Sequence, residues 1–96
     1  EAKELRLPIT CEDFASYADN ILGELEEWAE EQQDMQVVKP NFEGVRIAFD
    51  GGWCLLRKSL HDPLMPFNVE SDRQGGADEI ISRGTGFLNK YEYLTI

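Results

Sequence analysis

The sequence predicts an α+β domain: a small antiparallel sheet of three to four strands with helices packed on one face. Three observations predict it. Apolar residues recur at helical spacing from Ile9 to Gln33, the period drops to two between Met35 and Arg57, and helical spacing returns from Ala77 to Lys90. A helix, a run of strands joined by tight turns, then a second helix is the order of an α+β fold, in which neighbouring strands pair and helices cover the apolar face. Ninety-six residues are enough for one domain spanning 1–96, with a core of modest size.

The first helix is expected to begin behind Thr10. Thr10 and Asp13 have the spacing of a capping box, Ile9 and Phe14 occupy the staple positions, and Glu12 and Asp13 suit the positive end of the helix dipole. Phe14, Tyr17, Ala18, Ile21, Leu22, Leu25, Trp28 and Ala29 then fall on one face. Residues 12–34 carry nine acids and no base, which makes the other face an acidic, solvated one.

The strands follow. Val45, Ile47 and Phe49 alternate with Arg46 and Ala48, Asp50-Gly51 is a dipeptide that a two-residue type I′ turn prefers, and Trp53, Leu55 and Arg57 alternate with Cys54 and Leu56. With Asp50-Gly51 as the loop, Val45 faces Leu56, Ile47 faces Cys54 and Phe49 faces Gly52. These form the core face, and Arg46, Trp53, Leu55 and Arg57 form the other; a slip of one residue would exchange them. That second face, with Trp53 and Leu55 between two arginines, is expected to be partly covered. A third strand, Leu64 to Ser71, contains Pro66, which removes a ladder donor and favours an edge or a bulge. In the last helix, Ile80, Ile81, Phe87 and Leu88 hold the spacing, while Gly84 and Gly86 each cost about 1 kcal/mol against alanine, so a break near Gly84 is expected.

Composition bounds the function. A net charge of −10 argues against nucleic acid as a partner, since phosphate neutralisation by Lys and Arg dominates that binding. No run of about 18 apolar residues and no basic-plus-apolar leader is present, which argues against a membrane partner and for the cytoplasm. The charged start at Glu1, without methionine, reads as a piece of something longer. Cys11 and Cys54 lack CxxC spacing and one histidine cannot complete a zinc site with them, so they read as free thiols rather than metal ligands. The charge is uneven, however: Lys39, Arg46, Arg57, Lys58 and Arg73 cluster between 39 and 73, where a small anion finds a basic patch.

The candidate for that anion is the junction at the end of GWCLLRKSLHDP, Gly52 to Pro63. Arg57 offers a rigid fork of donors that matches two phosphate oxygens, Ser59 offers a hydroxyl, and the backbone N–H groups of a turn at 59–62 can converge on the same anion. The same residues also read as an ordinary strand end, with Arg57 and Lys58 solubilising it. The GTG at 84–86 follows no strand and has no lysine after it, so it is not a phosphate loop.

The segment EGVRIAFDGGWCLLRKSLHDP, Glu43 to Pro63, followed by LMPFNVES, resembles the last domain of the α-D-phosphohexomutases, the phosphoglucomutase and phosphomannomutase enzymes. Glu43-Gly44-Val45, Gly52-Trp53, Arg57, Ser59 and Pro63 match the family's pattern, Asp62 stands for its acid, and the correspondence covers roughly residues 43–73. The resemblance implies a TATA-box-binding-protein-like sheet, and a loop that grips the phosphate of a hexose phosphate through Arg57, Ser59, Leu60 and His61, with Lys58 adding positive potential. It also implies that catalysis, Mg²⁺ and a sugar bisphosphate intermediate belong to other domains of a longer chain, which are the partners of this one. No residue here is expected to be catalytic or to bind metal, and this domain is expected to hold no cofactor of its own. Two departures stand out. Leu60 replaces a Gly or Asn that tolerates positive φ, and His61 replaces a threonine. The alternatives are a stand-alone module binding a protein through the Trp53/Leu55 face, and a phosphosugar-sensing domain without chemistry.

Overall fold

Phe49 sits opposite Gly52, Ile47 opposite Cys54 and Val45 opposite Leu56, so the Asp50-Gly51 loop sets the register that the alternation requires. The computed structural model describes all residues, Glu1–Ile96. Strands β3 (Gly44–Phe49) and β4 (Gly52–Arg57) form this hairpin. Its turn is not type I′, which needs positive φ at both central residues: only Gly51 is left-handed, at φ 80°.

Five antiparallel strands, not three or four, make the sheet, in the order β1-β5-β4-β3-β2. Strand β1 (Ala2–Pro8) precedes helix α1 (Phe14–Glu30), the short β2 (Gln36–Val37) follows it, and β5 (Leu64–Ser71) leads to helix α2 (Gly76–Leu88). Because β1 pairs along the whole length of β5, the strand bearing Pro66 is internal rather than at an edge. The ladder from β5 to β4 stops at Leu56↔Phe67, one position before the proline that has no N–H to give.

The start of α1 lies later than Thr10. Asp13 is its N-cap, accepting from Ser16 N at 3.3 Å. Ile9 instead bridges to Leu94 and donates to the Pro63 carbonyl at 2.7 Å, while Thr10 N donates to the Tyr93 carbonyl at 2.9 Å. Sheet pairing of Ile9 and Thr10 has displaced the predicted cap by one turn of chain. Helix α2 does not break at Gly84. A Cβ there would lie 2.6 Å from the ring of buried Phe67, so this glycine lets the helix lie flat on the sheet.

Both helices cover one sheet face. Ala18, Ile21, Leu25 and Ala29 of α1, Ala77, Ile80 and Leu88 of α2, and Val45, Ile47, Cys54, Leu56, Phe67 and Val69 of the sheet belong to one cluster of 19 buried residues. Burial pushes the Cys54 thiol up to about 12, as expected of a group whose charged form loses its water. No helix is long and apolar enough to cross a membrane.

No other element of the chain lies across the open face. Leu55 is only 7% exposed there, beneath its cross-strand neighbours Arg46 and Asn68. Trp53 is half-buried, with the Arg46 guanidinium 4.1 Å from its ring centroid and its indole N–H donating to Glu70 at 3.0 Å. Cover by a further segment of the chain, one of the two covers expected for this face, is not what is found: long side chains of the sheet itself lie over it.

Candidate functional site

The site is built at the end of β4. Leu56 is fully buried on the helix-covered face, so strand alternation puts Arg57 on the open face and sends the next residue back. Lys58 reaches α1, where its Nζ lies 2.8 Å from an Asp19 carboxylate oxygen. Adjacent in sequence, the two cations serve opposite sides of the sheet.

Arg57 stands apart from the other cations. Lys3, Arg6, Lys39, Lys58, Arg73 and Arg83 form ion pairs with carboxylates, and Arg46 and Lys90 lie over aromatic rings. Arg57 has no carboxylate within ion-pairing distance and no ring, although its charge reaches the Glu4 carboxylate on the open face and helps to hold that group below its ordinary pKa. Opposite it in β3 is Gly44, where a Cβ would lie 2.8 Å from the Arg57 Cα and nearer still to the Leu56 carbonyl oxygen. Glycine is needed at this position for the two strands to close beside the arginine.

The turn after Arg57 is closed by its own hydrogen bonds. Ser59 Oγ accepts from Asp62 N at 3.3 Å, Leu64 N donates to the Asp62 carbonyl at 2.8 Å, and Ser59 N donates to the Leu64 carbonyl at 3.4 Å. Two of the predicted cradle amides, those of Ser59 and Asp62, are therefore already used. The N–H groups of Leu60 and His61 have no acceptor within the chain, and the Ser59 hydroxyl keeps its own proton to donate. Leu60, His61 and Asp62 are exposed, Leu60 at 80%. No residue other than glycine has positive φ, so Leu60 occupies this backbone without strain. The free groups of the loop are thus the Arg57 guanidinium, one hydroxyl and two amides, all of them donors.

Beside them lies an open cavity of about 560 Å³ between α1, the 41–44 segment and residues 57, 58 and 60. Phe42, on its rim, is 97% exposed. Sequence reasoning gave Glu43 and Gly44 only as part of the family pattern and assigned no role to Asn41 or Phe42. A larger cavity, about 730 Å³, opens at the other end of the sheet around Arg73 and Arg83. Both of those guanidinium groups are held by carboxylates, of Glu79 and Asp34, which leaves that cavity no free cation. No three His, Cys, Asp or Glu side chains converge into a metal-binding group. No known protein-family model matches the chain, and no curated protein matches it.

Proposed function

We propose that this chain is the C-terminal phosphate-binding lid of a phosphoglucomutase or phosphomannomutase, a cytoplasmic enzyme that interconverts hexose 1- and 6-phosphates by intramolecular phosphotransfer. The observation that carries the proposal is Arg57, the one lysine or arginine of the chain with neither a close ion pair nor a ring under it, at the mouth of a turn with a free hydroxyl and two free amides. The β3–β4 hairpin and the Arg57–Pro63 loop are the parts that resemble the phosphohexomutases, and an antiparallel sheet with helices on one face is compatible with the TATA-box-binding-protein-like layout of their last domain. In that role the Arg57 fork and the donors of Ser59, Leu60 and His61 hold the phosphate while the domain closes over the cleft. Lys58, tied to Asp19, contributes potential rather than a contact. Mg²⁺ and the sugar bisphosphate are assigned to the remaining domains.

Less supports a module that binds a protein through Trp53 and Leu55, since the ring is stacked and hydrogen-bonded and Leu55 lies under its neighbours. Reading the coding sequence upstream of Glu1 separates the possibilities. Domains with a serine nucleophile loop and a paired-aspartate metal motif are expected there. An upstream region without them contradicts the mutase assignment and leaves a phosphosugar sensor or an interaction module.

A further inference from the structure

Arg57 keeps its guanidinium unpaired although one carboxylate lies within its reach. On the open face the strands place Glu4 beside Asn68, Asn68 beside Leu55, and Arg6 beside Pro66. Arg57 follows Leu55 by two residues on that face, so it stands next to Pro66, across β5 from Arg6 and Glu4. Two strand spacings, about 10 Å, separate β4 from β1. An extended arginine and a glutamate together span that gap, and Pro66 between them is buried and carries no long side chain to part them. The other acid of this face, Glu70, lies further from Arg57 and accepts from the Trp53 indole N–H at 3.0 Å.

Both oxygens of Glu4 are held away from Arg57. Arg6 Nε donates to Oε1 at 3.0 Å, and Asn68 Nδ2 donates to Oε2 at 2.9 Å. The hydrogen bond from Asn68, and after it that from Arg6, keeps the Glu4 carboxyl below its ordinary range, while Arg57 adds to this by charge alone. The carboxylate thus stays ionised and is hydrogen-bonded to β1 and β5 rather than to β4. We propose that Asn68 and Arg6 are positioning residues of the anion site: by clamping Glu4 they keep it from occupying the Arg57 fork, which remains open to a phosphate ester. The proposal rests on the phosphate assignment above and adds two residues of other strands to which the family resemblance gives no role. Released from the clamp, Glu4 is an internal anion at an effective concentration of roughly millimolar or more, enough to compete with a ligand that binds weakly.

The test is NMR titration of the 96-residue chain with glucose 6-phosphate, on the parent and on Asn68→Val and Arg6→Met, each alone and combined with Glu4→Gln. Valine keeps a strand former at position 68 and removes the donor. Arg6 is too exposed, its side chain at 66%, for its replacement to unfold the chain. Each single variant should weaken binding about two- to five-fold, the scale of an exposed ion pair, and should shift the Arg57 Nε–H signal before any ligand is added. Glu4→Gln should bind at least as tightly as the parent, and in its background Asn68→Val and Arg6→Met should move neither the affinity nor the Arg57 signal. Unchanged affinity in either single variant, or a loss that Glu4→Gln does not relieve, overturns the positioning role and leaves the phosphate site standing. A parent chain that binds no phosphate ester overturns both.

Discussion

Gly44→Ala is the substitution that couples stability and anion binding most tightly. The new Cβ would fall 2.8 Å from the Arg57 Cα and 3.0 Å from the Arg57 Cβ, with the Leu56 carbonyl oxygen nearer still. Carbon atoms in ordinary contact stand about 3.5–4.0 Å apart. None of these three atoms can rotate away, because two are backbone and the third is fixed by it, so β3 and β4 must separate at the point where Arg57 leaves the sheet. Overpacking of this kind costs about 1–3 kcal/mol, and the reduced freedom of the unfolded chain offsets about 0.4–1 of it. A net loss of roughly 1–2 kcal/mol lowers Tm by roughly 5–15 °C in a domain of this size. The assay is urea and thermal unfolding followed by circular dichroism, with amide shifts of residues 57–61 recorded in the folded state. Phosphate affinity should fall together with those shifts. A variant as stable as the parent, with unchanged shifts at 57–61, refutes the claim that Gly44 is needed for this close approach.

Other glycines and side chains give independent checks. Gly84→Ala should destabilise by about 1–3 kcal/mol, since Phe67 is 1% exposed and its ring has no room to move, whereas Gly86→Ala, with no atom within 4 Å, should stabilise by about 0.5–1 kcal/mol; equal effects in urea unfolding would contradict the packing described for α2. A thiol reagent at neutral pH should modify Cys11 in the native chain and spare Cys54, which is buried with its pKa raised to about 12, until urea is added; two thiols reacting at one rate would contradict this. On the acid side, hydrogen bonds hold three carboxylates below their ordinary values: Glu1 by the Gly75 and Ala77 amides, Glu4 by Asn68 and Arg6, and Asp34 by Arg83. A depressed folded pKa gives stability that is complete above the ordinary values of 4.5 for Glu and 3.8 for Asp and is lost as pH falls through the folded value. Asp34→Asn should therefore lessen the acid-side slope of Tm, and a slope unchanged by it would contradict the pairing with Arg83.

Local features were legible in the sequence and distant ones were not. The β3–β4 register follows from alternation and a two-residue loop, both contained within one short segment, and the structure has every pair where the alternation puts it. Strand β1 shows the same period in Leu5, Leu7 and Ile9, but among charges and with its partner β5 at the far end of the chain, so nothing nearby identifies it as a strand. That unseen pairing also explains why Pro66 is internal and why Thr10 does not cap α1: Ile9 and Thr10 are drawn into the sheet and its C-terminal bridge, and Asp13 becomes the first residue free to cap. At the candidate site, residue order was enough to single out Arg57 and Ser59. Whether a cation is free is a tertiary property. Lys58 loses its freedom to Asp19 on α1, and the amides of Ser59 and Asp62 are consumed within the turn, neither of which residue order reveals. The exposed leucine at position 60 raised the question of a strained loop, and its negative φ removes that strain.

The central claim is that Arg57 and the turn behind it bind a phosphate group. Its most direct test is an NMR titration of the amide shifts with glucose 6-phosphate and with glucose, on the parent chain and on Arg57→Ala and Arg57→Lys. Weak binding, near millimolar, is expected, because the contacts are few and exposed. Shifts should centre on 57–62, with Leu60 and His61 moving most, and should be far smaller with glucose. Arg57→Ala should weaken binding by about ten-fold or more, the scale of a charged hydrogen bond, and Arg57→Lys should recover only part, since a point charge does not reproduce the fork. Shifts confined to residues outside 57–62, equal shifts with both ligands, or an affinity indifferent to Arg57→Ala would contradict the assignment and leave the end of β4 an ordinary strand end.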